Sequence, residues 1–201
     1  MPQIVAGHDW DRFATIVDVG GGHGTLLVAI LAAHPHVHGS LVDLDPTATE
    51  ANRTFAAHHV ENPATTTPQS VFDPLPRGAD THLLADILHD RDDHNAHRIP
   101  ARCVETMDAN SRIVVVEPVG GRLANTEMDL AMFVIFAGRE RTVDEFCAFA
   151  SGHGLVLDTV KDVSDQRCRL ESAGPKSRTS PRPTRTPSSR GLRPISASGR
   201  W

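Results

Sequence analysis

The sequence predicts an α/β fold in which helices cover both faces of one mostly parallel sheet. Short apolar runs alternate with segments of helical periodicity from residue 14 to residue 163, as expected for parallel strands joined by crossover helices. The first apolar run ends in a glycine-rich turn, GGGHG at 20–24. Open α/β sheets bind their ligands at such turns, at the carboxyl ends of the strands.

The first half of the chain supplies three strands and two helices. In order, they are a strand at 14–19, a helix at 25–33, a strand at 40–44, a helix at about 46–58 and a strand at 65–72. Asp45 is expected to cap the second helix, with Pro46 at the first helical position, because Pro lacks an amide that would be unpaired there. Pro68 weakens the third strand, since it cannot donate a hydrogen bond to a neighbouring strand.

The second half continues the alternation. In order, we expect a strand with its exit loop at 79–88, a helix at 93–107, a strand at 112–119, helices at 126–138 and 142–152, and a strand at 155–163. Thr142 and Glu145 have the spacing of a capping box, in which each side chain bonds the backbone of the other residue. This pattern marks the start of the last helix.

Size and charge limit the possible functions. The 201 residues can bury one core of ordinary size but hardly two. Residues 167–201 hold nine Lys and Arg residues and one Glu, so residues 1–166 keep 11 of the 20 basic and 24 of the 25 acidic residues. This acidic body disfavours nucleic acid as a partner, because phosphate binding needs a basic surface. We expect a domain at 1–172 and a disordered, basic tail rich in Pro, Ser and Arg at 173–201.

The cysteines and the apolar runs indicate the compartment. Cys103, Cys147 and Cys168 are far apart and odd in number, which argues against a disulfide framework and favours a reducing compartment. The first residues do not have the basic and apolar regions of a signal peptide, and no apolar run approaches the ~18 residues of a membrane span. The sequence therefore predicts a cytoplasmic protein without a membrane partner.

Two histidine groups raise the question of a metal site. They are HPHVH at 34–38 and the pair His94 and His97. Neither has a nearby cysteine or a fixed third ligand, which a protein metal site of this kind needs. We interpret both groups as surface histidines and expect no metal.

The glycine turn discriminates between nucleotide-like ligands. A dinucleotide fingerprint needs G-x-G-x-x-G, but the third position falls on Thr25 when counted from Gly20, and on Leu27 when counted from Gly22. Glycines at alternate positions after an acidic residue suit S-adenosylmethionine instead, because that ligand has no pyrophosphate to place on a helix N-terminus.

Two acidic residues complete this interpretation. Asp18 lies at the end of the first predicted strand, where it would favour the ammonium group of S-adenosylmethionine. Asp43 lies at the end of the second strand, one βαβ unit later, where a carboxylate can accept both ribose hydroxyls.

Six segments of the chain resemble the catalytic domain of the caffeate-type small-molecule O-methyltransferases, a family with actinobacterial members that tailor secondary metabolites. In family order, the segments are DVGGGHGTLL (18–27), LVDLDP (41–46), QSVFDPLPRGAD (69–80), LADILHDRDD (84–93), RIVVVEPVGG (112–121) and GRERTVDEF (138–146). The resemblance covers roughly residues 10–165 and implies a Rossmann-like class I methyltransferase fold.

The resemblance also implies site residues. Besides Asp18, the residues toward the cofactor would be Gly20, Gly22, Asp43, Ser70, Val71, Phe72 and Arg91, the last standing where the family has a Trp near the adenine. His89 matches the family's general base, and Glu117 and Glu140 match the acids that flank and orient it. A histidine, with an ordinary pKa of ~6.5, can remove the proton of a phenol with a pKa of ~10 as its oxygen attacks the methyl group. The acceptor pocket would be lined by Met128, Asp129, Met132, Phe133 and Phe136.

The function implied is methyl transfer from S-adenosylmethionine to a hydroxyl of a small aromatic or polyketide-like acceptor. Some members of the family instead carry out decarboxylation or hydroxylation with the cofactor bound, and a truncated remnant that at most binds the cofactor is a further alternative. Family members form homodimers through an N-terminal helical domain. Only about fifteen residues precede the first predicted strand here, so we expect that domain to be absent.

Overall fold

Seven strands form one sheet in the computed structural model, which describes residues 1–122, 130, 133–135 and 138–174. They are β1 (Thr15–Val19), β2 (His38–Asp43), β3 (Ala64–Pro68), β4 (Thr81–Ala85), β5 (Arg112–Glu117), β6 (Val156–Asp162) and β7 (Cys168–Ala173). Within the same described residues, the helices whose two ends are defined are α1 (Pro2–Ala6), α2 (Thr25–Ala33), α3 (Asp45–Ala57), α4 (Asp93–Val104) and α5 (Val143–Gly152).

The sheet has the strand order β3–β2–β1–β4–β5–β7–β6. The first five strands are parallel to one another, and β7 runs antiparallel between β5 and β6. From β1 the chain winds outward to β3, and then returns to the other side of β1 with β4. This reversal opens a crevice at the carboxyl ends of β1 and β4. The predicted α/β class and the mostly parallel sheet are confirmed.

The core consists of two apolar clusters, one on each face of the sheet. Neighbouring residues of a strand point to opposite faces, so Ile16 of β1 joins the cluster under α2 and α3, and Val17 joins the cluster under α4 and α5. Helices therefore cover both faces, as predicted. None of the described helices is long and apolar enough to cross a bilayer.

The first fourteen residues dock on the sheet, which the sequence pattern did not predict. Trp10 is fully buried, and its indole N–H donates to the carbonyl of Val5 over 3.1 Å. His8 is hydrogen-bonded to Arg169 of β7, and burial lowers the pKa of His8 to about 3. Arg12 pairs with Glu171 of the same strand. These contacts hold α1 near the carboxyl ends of β1 and β4.

The helix starts test the predicted caps. Thr142 caps α5 as predicted: its Oγ1 accepts from the Glu145 amide at 3.3 Å, and Glu145 Oε2 accepts from the Thr142 amide at 2.8 Å. The predicted cap of α3 is wrong, because α3 begins at Asp45 itself and the capping position is Leu44, which makes no side-chain bond to the helix. Pro46 therefore occupies the second helical position.

Two boundaries also differ from the sequence expectation. The third strand ends at Pro68 rather than at residue 72, at the edge of the sheet where a Pro is tolerated. β7 includes Ala173, the first residue of the predicted tail. Residues 175–201 lie outside the described residues, as does most of the helix predicted at 126–138, so the disordered tail remains a prediction.

Candidate active site

A cavity of about 580 Å³ opens at the carboxyl ends of β1 and β4. Asp18 and the glycine turn at 20–22 line one side, and Asp86, which follows β4, lines another. The first residues of the chain and the turn at 164–167, between β6 and β7, complete the walls. The cavity lies where the strand order reverses, which is the expected ligand position in an open α/β sheet.

The conformation of the turn requires glycine at position 20. Gly20 has a φ of +71°, and a Cβ atom there would lie 2.0 Å from Cδ1 of Ile87. Its amide donates to the carbonyl of Val42 over 2.8 Å. The turn is therefore packed against β2 and against the loop that follows β4, with its backbone open to the cavity.

Asp43 fixes the other end of the turn. Its Oδ2 accepts a hydrogen bond from the Gly22 amide at 2.9 Å, and its Oδ1 accepts one from the Leu44 amide at 2.7 Å. A carboxylate oxygen has a second lone pair, so both oxygens retain the capacity to accept a hydroxyl. The structure thus brings together Gly20, Gly22 and Asp43 as the sequence predicted.

Asp18 is the most unusual side chain of the cavity. It is 1% exposed, and neither carboxylate oxygen has a hydrogen-bond partner among the described residues. Burial, together with the nearby charge of Asp43, raises the pKa of Asp18 to about 7. A buried carboxylate without a partner is unfavourable. The arrangement fits a ligand that places an ammonium group beside a pair of hydroxyls.

The predicted cofactor residues Ser70, Val71 and Phe72 lie on the loop after β3, and Arg91 lies on the loop between β4 and α4. The Phe72 amide donates to Ser70 Oγ over 3.2 Å, and the guanidinium of Arg98 stacks 4.2 Å above the Phe72 ring. Val71 is buried in the core. Arg91 donates to the carbonyl of Asp90 over 3.0 Å. Within the described residues these side chains do not line the 580 Å³ cavity, so their contact with a ligand remains a prediction.

His89 lies on the loop between β4 and α4 and is 8% exposed. Its Nε2 is 3.5 Å from Oδ1 of Asp90, a residue not predicted for the site. Its Nδ1 is buried and has no hydrogen-bond partner among the described residues. Burial is the largest effect on Asp90 and raises the pKa of that carboxyl group. Within the described residues the ring does not line the 580 Å³ cavity, so its role as the base remains a prediction.

Glu117 holds the backbone of this loop. Its Oε1 accepts hydrogen bonds from the amides of Ile87 and Leu88, at 3.0 and 2.5 Å. The carboxyl group is fully buried, and burial raises its pKa to about 8. Glu117 therefore acts on the two residues before His89 through their amides.

The opposite side of the loop is held by a residue that sequence reasoning missed. Arg141 is buried, and it donates to the carbonyls of Leu88 and Arg91 at 2.8 and 3.1 Å and to Asp93 Oδ1 at 2.9 Å. It lies in the GRERTVDEF segment that carried the resemblance, but an arginine whose main partners are backbone carbonyls has no signature in the sequence.

The segment before Arg141 packs closely on the histidine loop. A Cβ atom at Gly138 would lie 2.0 Å from the carbonyl oxygen of His89, so only glycine allows this approach. Glu140, which the sequence assigns to the orientation of His89, is 7% exposed on the same segment. Its effect on the imidazole remains a prediction.

Most of the predicted acceptor wall lies outside the described residues. Met128, Asp129, Met132 and Phe136 belong to this group. Phe133 is described, and it is 65% exposed. The acceptor pocket therefore remains a prediction.

The histidine groups considered for metal binding have other contacts. His34 lies 2.7 Å from Oδ1 of Asp11, and His97 Nδ1 lies 3.3 Å from His153 Nε2. In the described part of the chain, no group of three or more His, Cys, Asp or Glu side chains is placed to hold a metal ion.

The fold and this site define a class of protein: the chain belongs to the O-methyltransferase domain family, whose model matches residues 1–156. It is 39% identical over 162 residues to 2,7-dihydroxy-5-methyl-1-naphthoate 7-O-methyltransferase from Streptomyces carzinostaticus, covering 80% of this chain and 49% of that protein. The crystal structure of NcsB1, an O-methyltransferase from neocarzinostatin biosynthesis, in complex with S-adenosylmethionine and 2-hydroxy-5-methyl naphthoic acid, superposes with a TM-score of 0.81 at 37% identity. That match covers 85% of this chain and 52% of NcsB1.

A third relative carries a different activity in its name. Aclacinomycin 10-hydroxylase RdmB from Streptomyces purpurascens is 35% identical over 156 residues, which are 75% of this chain and 42% of that protein. The chain thus spans about half the length of the curated relatives it matches. The family resemblance and the class I methyltransferase fold predicted from the sequence are confirmed.

Proposed function

We propose that the chain transfers a methyl group from S-adenosylmethionine to a hydroxyl of a small aromatic or polyketide-like acceptor. One observation carries the proposal: Asp18 lines the cavity, is buried without a hydrogen-bond partner among the described residues, and lies beside a glycine turn that Asp43 holds in place. A carboxylate for the ammonium and a second for the ribose hydroxyls are what this cofactor requires. The names of the relatives support the same chemistry.

The residues divide the work as follows. The bound cofactor supplies an electrophilic methyl group on a sulfonium. Asp18 favours the ammonium of its amino-acid end, and Asp43 accepts its ribose hydroxyls. His89 removes the proton from the acceptor hydroxyl, a step typically worth about 10²–10⁴-fold in rate. Glu117 and Arg141 position the histidine loop from its two sides, and Glu140 is proposed to orient the imidazole.

Calorimetric titration tests the cofactor site first. S-adenosylmethionine and S-adenosylhomocysteine are titrated into the chain and into its Asp43→Ala and Asp45→Ala variants. We expect binding that Asp43→Ala weakens by about 10-fold or more, since two charge-assisted hydrogen bonds are lost. Asp45 is exposed and two residues away, so Asp45→Ala is the matched control and should bind as the parent does. A folded parent chain that binds neither nucleoside would favour the inactive remnant.

A second function is favoured by the similarity to the aclacinomycin hydroxylase. In that case the chain would release carbon dioxide from a carboxylated acceptor, or hydroxylate it with dioxygen as the oxidant and an external reductant, while the cofactor stays bound. His89→Ala discriminates between the two functions. Loss of methyl transfer with retained cofactor binding supports the methyltransferase, whereas unchanged turnover of a carboxylated acceptor supports the alternative.

The setting of the reaction is part of the proposal. Cys103, Cys147 and Cys168 are all free thiols, which fits a reducing, cytoplasmic environment. The resemblance implies homodimers for family members, and light scattering of the purified chain measures whether this chain forms them.

A further inference from the structure

An ion pair in the lining of the cavity joins two distant parts of the chain. Nε of Arg167, on the turn between β6 and β7, lies 2.9 Å from both carboxylate oxygens of Asp86, which follows β4. Both residues line the cavity that also contains Asp18. Arg167 is the one Arg or Lys side chain among the described residues of that lining.

The position of Asp86 is fixed by more than this pair. Asp86 has a φ of +51°, in the left-handed region that non-glycine residues rarely adopt. Its amide donates to the carbonyl of Val116 on β5 over 3.1 Å. A strained conformation persists only where the surroundings determine it, and such residues concentrate at binding sites. Asp86 is thus a fixed acceptor against which the guanidinium of Arg167 is oriented.

The guanidinium has capacity left for a second anion. Of its five N–H donors, the bonds within the described residues use only the one on Nε. The side chain is 28% exposed. Because the Nε edge is bound to Asp86, the donors on Nη1 and Nη2 remain for an anion, and paired donors of this kind match a carboxylate.

The cavity therefore contains two complementary groups: within the described part of the chain, Asp18 is not paired with a cation, and Arg167 retains donors for an anion. We propose that Arg167, oriented by Asp86, binds the α-carboxylate of the cofactor's amino-acid end while Asp18 faces its ammonium. This inference rests on the proposed function, and it assigns a binding role to the turn between β6 and β7. A carboxylate on the acceptor would have the same chemistry, but Asp18 and the glycine turn in the same cavity favour the zwitterionic end of the cofactor.

Three ligands separate these possibilities in the absence of any acceptor. S-adenosylhomocysteine carries both the ammonium and the carboxylate, decarboxylated S-adenosylmethionine keeps only the ammonium, and 5′-methylthioadenosine has neither. Each is titrated calorimetrically into the full chain and its Arg167→Gln, Asp86→Asn and Arg122→Gln variants. Arg122 pairs with Asp162 nearby without lining the cavity, which makes Arg122→Gln the matched control.

We expect Arg167→Gln to lower the affinity for S-adenosylhomocysteine by about 10- to 100-fold, as for the loss of a charge-assisted pair. The affinities for the two ligands without a carboxylate should stay within about twofold of the parent values. Asp86→Asn should weaken the same ligand by less, because the guanidinium remains but loses its orientation. Arg122→Gln should change nothing. A parent chain that does not bind S-adenosylhomocysteine more tightly than 5′-methylthioadenosine would overturn the inference without any variant.

Two further outcomes are distinguishable. If the parent chain binds none of the three ligands, the proposed function fails and the inference fails with it. If the parent binds them but Arg167→Gln affects all three equally, or none, only the inference is overturned. Circular dichroism of each variant shows whether it is folded, and Arg167→Lys, which keeps the charge but not the fork of donors, should fall between Arg167→Gln and the parent.

Discussion

The guanidinium of Arg141 donates a hydrogen bond to the carbonyl of Leu88, the residue before His89, over 2.8 Å. From the other side, the carboxylate of Glu117 accepts from the amide of the same Leu88 at 2.5 Å. One peptide segment is thus held through both its donor and its acceptor by two buried side chains. The loop that carries the proposed base is therefore anchored from both sides, and this has testable consequences.

Replacement of Arg141 should destabilise the chain. Arg141→Met removes the donors to two buried carbonyls and to Asp93, so we expect a loss of about 2–4 kcal/mol in the free energy of unfolding. Arg139 pairs with Asp93 and Glu145 at the surface, and Arg139→Met should cost only about 0–1 kcal/mol. Urea unfolding of both variants measures the difference. Equal losses would mean that the buried contacts of Arg141 add nothing beyond a surface ion pair.

A methyl group at Gly138 should displace the histidine loop. Since a Cβ atom there would lie 2.0 Å from the His89 carbonyl oxygen, Gly138→Ala should lower the rate of methyl transfer by about 10-fold or more while cofactor affinity stays within about twofold. At Gly152 a Cβ atom would meet nothing within 4 Å, so Gly152→Ala is the control and should keep full activity. Steady-state kinetics measures the rate of methyl transfer, and calorimetry measures the cofactor affinity. If Gly138→Ala is as active as the parent, the close approach of residue 138 to the His89 carbonyl is not needed for activity.

Cofactor affinity should rise with pH through the titration of Asp18. Burial raises the pKa of this group to about 7, so below that pH it must lose a proton before it can face an ammonium. We expect the affinity for S-adenosylhomocysteine to increase from about pH 6 to about pH 8, by up to about 10-fold per pH unit below the pKa. Calorimetry at several pH values measures this slope. Asp18→Asn should bind the ligand weakly, and its affinity should not depend on pH in this range, whereas Asp45→Ala should keep the pH dependence of the parent. If the affinity of Asp18→Asn still rises with pH, the titration belongs to another group.

The same group has the opposite effect on the stability of the ligand-free chain. The unfolded chain loses the Asp18 proton near pH ~4, whereas the folded chain keeps it up to about pH 7. Between these values the folded state binds more protons, so this contribution to stability falls as the pH rises. The urea concentration at the midpoint of unfolding should therefore rise for Asp18→Asn relative to that of the parent as the pH increases from ~4 to ~7. A constant difference between the two proteins over this range would contradict the prediction.

Trp10 should be essential for the docking of the first fourteen residues. It is fully buried, and Trp10→Ala would leave a large cavity, at a cost of about 3–5 kcal/mol. Val156→Ala, on a side chain that is 49% exposed, should cost less than about 1 kcal/mol. Chemical unfolding of both variants provides the measurement. If Trp10→Ala unfolds like Val156→Ala, the first residues are not part of the cooperative unit.

The sequence predicted those features that repeat or that follow a fixed spacing. Alternating apolar runs defined the strands of the parallel sheet, and the distance from Gly22 to Asp43 is that of one βαβ unit. The cap of α3 was predicted one residue late, at Asp45 instead of Leu44. Asp is favoured both at the cap and in the first turn of a helix, so the residue type alone does not distinguish the two positions. Patterns of this kind locate an element well and its first residue less well.

Other features had no local signature. β7 reads as a charged segment, yet it is buried because Arg169 and Glu171 find partners in His8 and Arg12, more than 150 residues earlier. The pair between Asp86 and Arg167 joins residues 81 positions apart. Such contacts depend on the assembled sheet, and no window of sequence contains both partners.

The place of β7 in the sheet has a consequence for how the chain must assemble. β7 is the last of the described strands in sequence, yet it lies between β5 and β6. During synthesis on the ribosome, β5 therefore presents a bare edge until residues 168–173 have emerged, and such edges invite pairing with other chains. The hairpin of β6 and β7 closes that edge and, in the same event, brings Arg167 to Asp86. Completion of the ligand cavity is thus tied to protection of the nascent protein from aggregation.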